Sequence, residues 1–385
     1  MSKNALILSG GGARAAYQVG VLQAVSDILP GLQHPFPIIC GTSAGAINAT
    51  AIAAYPGEFN EAAQVLAQTW GNLQIDQVYR SDWRALIGGL SKVVFSFFNQ
   101  GVAKKKPLAL LDNSPLRELL SSVIDFKNIQ TRVDSGTLEA LSITALGYSS
   151  GESVSFFQGN ENLEAWRRYR RVGTPAEITV DHLMASSAIP IVFPTINIDK
   201  EYYGDGAMRQ MAPISSALHL GADRIFIIGV SGNRVRGPQG PARKKIMAPK
   251  HSPSLAQILG QMFNSAFIDA LEGDIEHLER INDLLELLPE GAKSAETKKL
   301  RPVETLIISP TKPLDKIAGR RVRSLPKPIR FFMRSSGATA SGGGAAAASY
   351  LLFSQEYCNE LIELGYQDAM WERDAIEKFF EKEGT

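Results

Sequence analysis

Residues 5–15, Ala-Leu-Ile-Leu-Ser-Gly-Gly-Gly-Ala-Arg-Ala, and residues 36–49, Phe-Pro-Ile-Ile-Cys-Gly-Thr-Ser-Ala-Gly-Ala-Ile-Asn-Ala, repeat one grammar: a short apolar run, a glycine stop, and small residues that open a helix. Ala5 to Leu8 and Phe36 to Cys40 are too short for helices and lack polar alternation, so they read as strands buried on both faces. Ala15 to Leu29 has helical spacing through Tyr17, Val21, Leu22, Val25 and Leu29, and Pro30, Pro35 and Pro37 close it. Two strand–turn–helix units in a row predict an α/β fold: a mostly parallel central sheet flanked by helices, because parallel strands need crossover connections.

Further strands are expected at Ser142 to Ala145, Ser153 to Phe157 and Ile225 to Val230, with a shorter one at Tyr202 and Tyr203. Residues 1–231 therefore form the first unit. Residues 232–385 form a mainly helical C-terminal region: a Gly, Pro and Lys/Arg-rich loop from Gly232 to Pro253, a helix or helix pair from Leu255 to Leu288, and amphipathic helices from Tyr350 to Phe380. The one strand in this region, residues 303–309, cannot satisfy its own backbone groups, so it is expected to return to the main sheet and bring the region onto the first unit.

The 385 residues carry a net charge of +1, which supplies no field for a polyanion and argues against a nucleic-acid partner. Cys40 and Cys358 are too few for a disulfide framework or a zinc site, and no metal is expected. The chain opens without the charged and apolar segments of a secretory signal, and its longest uncharged stretch, Gly337 to Phe353, is Gly, Ala and Ser. The expectation is a cytoplasmic protein. No feature fixes an oligomeric state.

The glycine turn Gly10-Gly11-Gly12-Ala13-Arg14-Ala15 suits a backbone whose amides bind an anion. A dinucleotide fingerprint would demand an acid at the end of the second strand, where Cys40-Gly41-Thr42-Ser43 stands instead. An oxyanion or phosphate cradle, or a plain tight turn, remains. Gly41-Thr42-Ser43-Ala44-Gly45 is a G-x-S-x-G sequence between strand and helix, the setting of a nucleophile elbow, in which Gly41 and Gly45 must be small. An ordinary α/β-hydrolase has several strands before its nucleophile, whereas this serine follows the second.

The two motifs together resemble the patatin-like phospholipase family, the bacterial kind of lipid acyl hydrolase. Asp205-Gly206-Ala207 matches the family's catalytic aspartate turn, and Ala185-Ser186-Ser187-Ala188-Ile189-Pro190, leading into Phe193-Pro194, resembles its block ahead of that aspartate. The order of the four motifs is the family's, over roughly residues 5 to 230; Ala15 departs from the glycine of many members. The resemblance implies a patatin-like three-layer fold, Ser43 as nucleophile, Asp205 as base, and an oxyanion hole from Gly10, Gly11 and Gly12. A free aspartate, with a pKa of about 3.9, is a weak base, so burial has to raise it. Arg14 has two readings, an anion or phosphate contact and a salt bridge that fixes the loop. A Ser-His-Asp triad is the competitor, but none of His34, His182, His219, His251 and His277 lies in a turn suited to a base.

The expected activity is hydrolysis of carboxylic esters in phospholipids or related lipids through an acyl-enzyme on Ser43, phospholipase A or lysophospholipase in type, without a cofactor. An acyltransferase using the same residues and a silent lipid-binding protein are the alternatives. Two stretches suggest peripheral contact with an anionic membrane surface. One is the apolar stripe Trp83, Leu86, Ile87, Leu90, Val93, Val94, Phe97 and Phe98 ahead of Lys104-Lys105-Lys106, although Gly88, Gly89 and the off-stripe Phe95 favour an ordinary core-packing helix there. The other is Lys316 to Arg334, with seven Lys or Arg and no acid, interleaved with Ile317, Val322, Leu325, Ile329, Phe331 and Phe332. Arg167, Arg168, Arg170 and Arg171 form a third basic patch.

Overall fold

The structure is a computed structural model that describes residues 3–83, 87, 88, 91, 109–210, 212–231, 255–265, 270–287, 301–335 and 344–381. Its centre is one mixed sheet built from β1 (Asn4–Leu8), β2 (Ile38–Thr42), β3 (Ala140–Gly147), β4 (Ser153–Gly159), β5 (Trp166–Arg168), β6 (Arg171–Pro175), β7 (Ile196–Ile198), β8 (Glu201–Asp205), β9 (Arg224–Ile228) and β10 (Glu304–Ile308). The strands run in the order β10-β9-β1-β2-β3-β4-β6-β5, with β8 on β3 and β7 on β8. From β10 to β3 every pairing is parallel. Beyond β3 the sheet turns mixed, through β3–β4, β3–β8, β5–β6 and β7–β8, which are antiparallel.

Alternation along β1 sorts the core. Leu6 and Leu8 join the larger cluster, with the helices Ala16–Ile28, Phe59–Gly71 and Gln355–Trp371, while Ala5 and Ile7 join Ala217, Leu220, Leu271 and Ile275 on the opposite face. Helices thus cover both faces of the sheet, which is why its parallel strands are mostly apolar.

The strand at Glu304–Ile308 pairs along β9 and becomes the sheet's edge. The stretch 255–287 holds two helices, Leu255–Asn264 and Ala270–Glu286. Closure of the larger face depends on a backbone-to-backbone contact: a methyl at Gly20 would fall on the Ile362 carbonyl, and one at Gly365 on the Tyr17 carbonyl. Tyr17 also donates its hydroxyl to Asp368 at 3.1 Å. Gly365→Val therefore forces the two helices apart and is expected to lower the melting temperature by at least the several degrees that about 1–3 kcal/mol of overpacking produces, as read by thermal unfolding.

Candidate active site

Strand β2 runs through Gly41 and Thr42, two residues beyond the expected end, and the chain then breaks at Ser43, whose φ of 56° and ψ of −131° lie where non-glycine residues are strained. The helix Ala44–Ala53 starts immediately afterwards. Both glycines of the pentapeptide are sterically required. A Cβ at Gly41 would sit 2.5 Å from Ala46 Cα, and one at Gly45 would fall on the Leu8 carbonyl of β1.

The sheet register explains how an aspartate 162 residues away reaches this elbow. Thr42, the last residue of β2, pairs with Thr144 of β3, and Asp205, the last residue of β8, pairs with the next residue, Ala145. The two strands arrive from opposite directions and end on adjacent positions of β3. Ser43 Oγ donates to Asp205 Oδ2 at 2.7 Å, and the Ala207 N–H donates to Oδ1 at 3.0 Å, which fixes the carboxylate plane. Gly206 is held close, since a Cβ there would fall on the Thr144 carbonyl. Ser43 is 1% and Asp205 0% exposed. Burial pushes the Asp205 carboxyl up to about 7, while the bonds from Ser43 and Ala207 pull it back.

The glycine loop lies beside the elbow. Gly10 is buried, Gly11 precedes the 3₁₀ turn Gly12–Ala15, and Gly12, at φ 55°, lines the cavity together with Ser43. A side chain at Gly12 would strike the Tyr350 carbonyl, whereas one at Gly11 would meet the Val230 side chain at 2.7 Å. Arg14 is turned into the protein instead: it is 4% exposed, its Nε donates to Ser349 Oγ at 2.7 Å, and its guanidinium stacks on the Tyr350 ring at 4.2 Å. It is not among the residues that line the cavity.

That cavity has a volume of about 320 Å³ and runs along one face of the elbow helix, past Ala44, Ile47 and Ala51. Its walls come from the helices Phe59–Gly71 and Ser114–Val123, through Leu66, Trp70 and Leu120 among others. A buried polar chain fixes this wall to the glycine turn and the elbow helix. Gln18 donates to the Ser9 carbonyl at 2.8 Å, Asn48 donates to the Ala15 carbonyl at 3.1 Å and to Gln18 Oε1 at 3.0 Å, and the Trp70 indole donates to Asn48 Oδ1 at 2.8 Å. The sequence reading missed Gln18, Asn48, Trp70 and Leu120; the signal for Asn48 was a lone amide inside an otherwise apolar run.

Among the described residues neither Ser43 nor Asp205 hydrogen bonds to a histidine, and no group of three or more His, Cys, Asp or Glu is placed to hold a metal ion. His219 ends the helix Ser215–His219 and stacks on Trp166 with ring centroids 4.9 Å apart; burial and then Arg168 and Arg171 drop its pKa to about 4.

A sequence model of the patatin-like phospholipase family matches residues 6–218, which include Ser43, Asp205 and the glycine turn. The chain belongs to the patatin-like phospholipase family. Its activity is accordingly that of a lipid ester hydrolase in general terms. No curated protein matches the sequence. Among solved structures it is similar to VipD from Legionella pneumophila, at 12% identity, with 97% of this chain and 67% of that one covered and a TM-score of 0.36. It is also similar to the type III effector protein ExoU, at 16% identity, with 90% and 77% covered and a TM-score of 0.29.

The two stretches read as membrane-facing fare differently. Leu86, Leu90, Val93, Val94, Phe97, Phe98 and Lys104 to Lys106 lie outside the described residues; Trp83 and Ile87 are exposed. In the basic stretch, Arg320 and Arg321 reach Glu360 at 2.6 and 3.1 Å, and Ile317, Leu325 and Ile329 are buried in the core. Those three apolar residues therefore do not form an inserting face, because the helix Leu314–Arg321 and the residues after it turn them inward. Phe331 is exposed and packs edge-on against Trp83 at 5.6 Å. Among the described residues no helix is long and apolar enough to cross a membrane.

Proposed function

We propose that the protein is a serine lipid acyl hydrolase of phospholipase A or lysophospholipase type that works through a Ser43–Asp205 dyad. The observation that carries this reading is the 2.7 Å hydrogen bond from Ser43 Oγ to a fully buried carboxylate at the head of an apolar cavity. In the first step Ser43 Oγ attacks the ester carbonyl and its proton passes to Asp205 Oδ2. The tetrahedral intermediate collapses, the alcohol leaves with that proton, and the acyl group stays on Ser43. Water then enters, its oxygen attacks the acyl carbon as its proton passes to Asp205, and collapse breaks the bond to Ser43 Oγ, which takes the proton back from Asp205 as the fatty acid leaves. The acyl chain lies along Ala44, Ile47 and Ala51, where burial of each CH₂ contributes about 0.8 kcal/mol.

Oxyanion stabilisation falls to the loop amides at Gly11 and Gly12, which open a 3₁₀ turn where N–H groups have no acceptor within the turn. Arg14 anchors that loop to Ser349 and Tyr350. Peripheral contact with an anionic membrane surface rests on the exposed Trp83 and Phe331.

The test is fluorophosphonate labelling with the adduct mapped by mass, followed by fatty-acid release from defined phospholipids. The adduct is expected on Ser43. Because the base acts only when ionised, kcat/KM should rise with pH and level off above about pH 7, the value to which burial moves Asp205. A flat profile between pH 5 and 8, or label on another residue, would rule the dyad out.

A further inference from the structure

One short segment holds the backbone of both dyad members. The helix Val180–Ser186 ends in a hydroxyl that is 0% exposed. Ser186 Oγ accepts the Ser43 N–H at 2.8 Å and donates to the Thr144 carbonyl of β3 at 2.6 Å. Two residues on, the Ala188 carbonyl accepts the Asp205 N–H at 3.0 Å.

We infer that residues 186–188 act as a clamp that sets the separation of Ser43 from Asp205, with Ser186 as a positioning residue for the nucleophile. The inference rests on the dyad reading above. The sheet register brings the two strand ends to adjacent positions of β3 but no further: β2 and β8 both pair with β3 and are not hydrogen bonded to each other, so they meet end to end with no shared ladder. Ser43 has also left the strand conformation, and its N–H needs a partner outside the ladder. An amide buried there without one would keep its full desolvation penalty.

Bridging an N–H and a carbonyl takes a group that accepts and donates at once, in a space that admits nothing large. A serine hydroxyl does both. Its anchor, Thr144, is well placed as a reference point, because its residue pairs with Thr42, the next residue pairs with Asp205, and its carbonyl packs against Gly206. The nucleophile, the base and the base's turn are thus all measured from one peptide of β3.

The test uses the full chain and one lipid ester substrate. In Ser186→Ala the Ser43 N–H loses its acceptor and the side chain drifts from Asp205. A misplacement of about 1 Å costs on the order of 100-fold, so kcat is expected to fall about 10- to 100-fold with KM within about twofold. The acid limb of the pH profile should move to higher pH, because the bond from Ser43 is one of the contacts that hold the Asp205 pKa down. Ser186→Cys fills the same space with a weakly bonding group and is expected to change both quantities in the same direction, so it serves if the alanine protein does not accumulate. Wild-type kcat in either folded variant, or a reduced kcat with an unmoved acid limb, would overturn the clamp. Absence of Ser43-dependent hydrolysis in the wild-type protein would overturn the dyad reading itself and the clamp with it.

Discussion

Asp205→Asn is expected to lose about 100- to 10,000-fold in kcat and to melt at a higher temperature than the wild-type protein at pH 8. The loss follows from removing the proton acceptor. The gain follows from linkage. The carboxyl's pKa is about 7 in the folded protein, because of burial, against about 3.9 in an unfolded chain. Between those values the folded state binds the proton more tightly than the unfolded state, so wild-type stability falls as pH rises from about 4 to about 7 and stays at the lower level above that. Asparagine cannot ionise and escapes this cost, which is on the order of a few kcal/mol. It also keeps the shape that accepts the Ala207 N–H. Thermal unfolding of both proteins from pH 4.5 to 8 should show a gap that opens with pH. A gap of constant size, or an asparagine protein that melts lower throughout, would mean that the buried carboxylate is satisfied in some other way.

Ser43→Ala and Ser43→Gly should both abolish labelling and reduce hydrolysis on the scale of about a millionfold seen when a serine nucleophile is removed. Their stabilities should differ. Alanine keeps a Cβ at φ 56° and ψ −131°, whereas glycine occupies that region without penalty, so the glycine protein is expected to be the more stable by about 1–3 kcal/mol. Denaturant unfolding of the two variants reads this difference directly. Equal midpoints would show that the elbow is not strained, and residual Ser43-independent hydrolysis would assign the chemistry elsewhere.

What could be read from sequence was local. The runs at 5–8 and 36–40, each closed by a glycine turn, announce parallel strands because both faces of such strands are buried, and the strand expected at 303–309 is visible as a short apolar run although only Ile308 of it is fully buried. The strands at the far end of the sheet, Trp166–Arg168 and Arg171–Pro175, were missed. Trp166–Arg168 is three residues long with one inward side chain, and its two arginines are exposed, Arg167 pairing with Glu152 at 2.6 Å. Motif chemistry pointed to Ser43 and Asp205, but their meeting depends on the register of two strands against a third, and no pattern within either motif encodes it. Ser186 was quoted only as part of a block, since a serine at a helix end has many ordinary uses and the identity of its partners is a tertiary fact. The cavity was hidden for a related reason: Ala44, Ile47 and Ala51 have the spacing of a helix packed against a core. In the basic stretch at 316–334 the partner of Arg320 and Arg321, Glu360, is supplied from another helix, so that pairing is not visible within the stretch itself.

The strand Glu304–Ile308 and the helix Gln355–Trp371 have a bearing on how such a protein can be divided. Every motif residue lies before Ser231, yet a chain stopped there would present β9 as a bare, largely apolar edge, the kind of surface that recruits other chains. It would also strip the glycine-to-glycine cover from the helix Ala16–Ile28, which follows directly on the glycine turn. The segment that carries the chemistry is therefore not a portable module. Grafted elsewhere without its last 150 or so residues, it would bring the reactive groups and leave behind the half of the scaffold that keeps them soluble and in place.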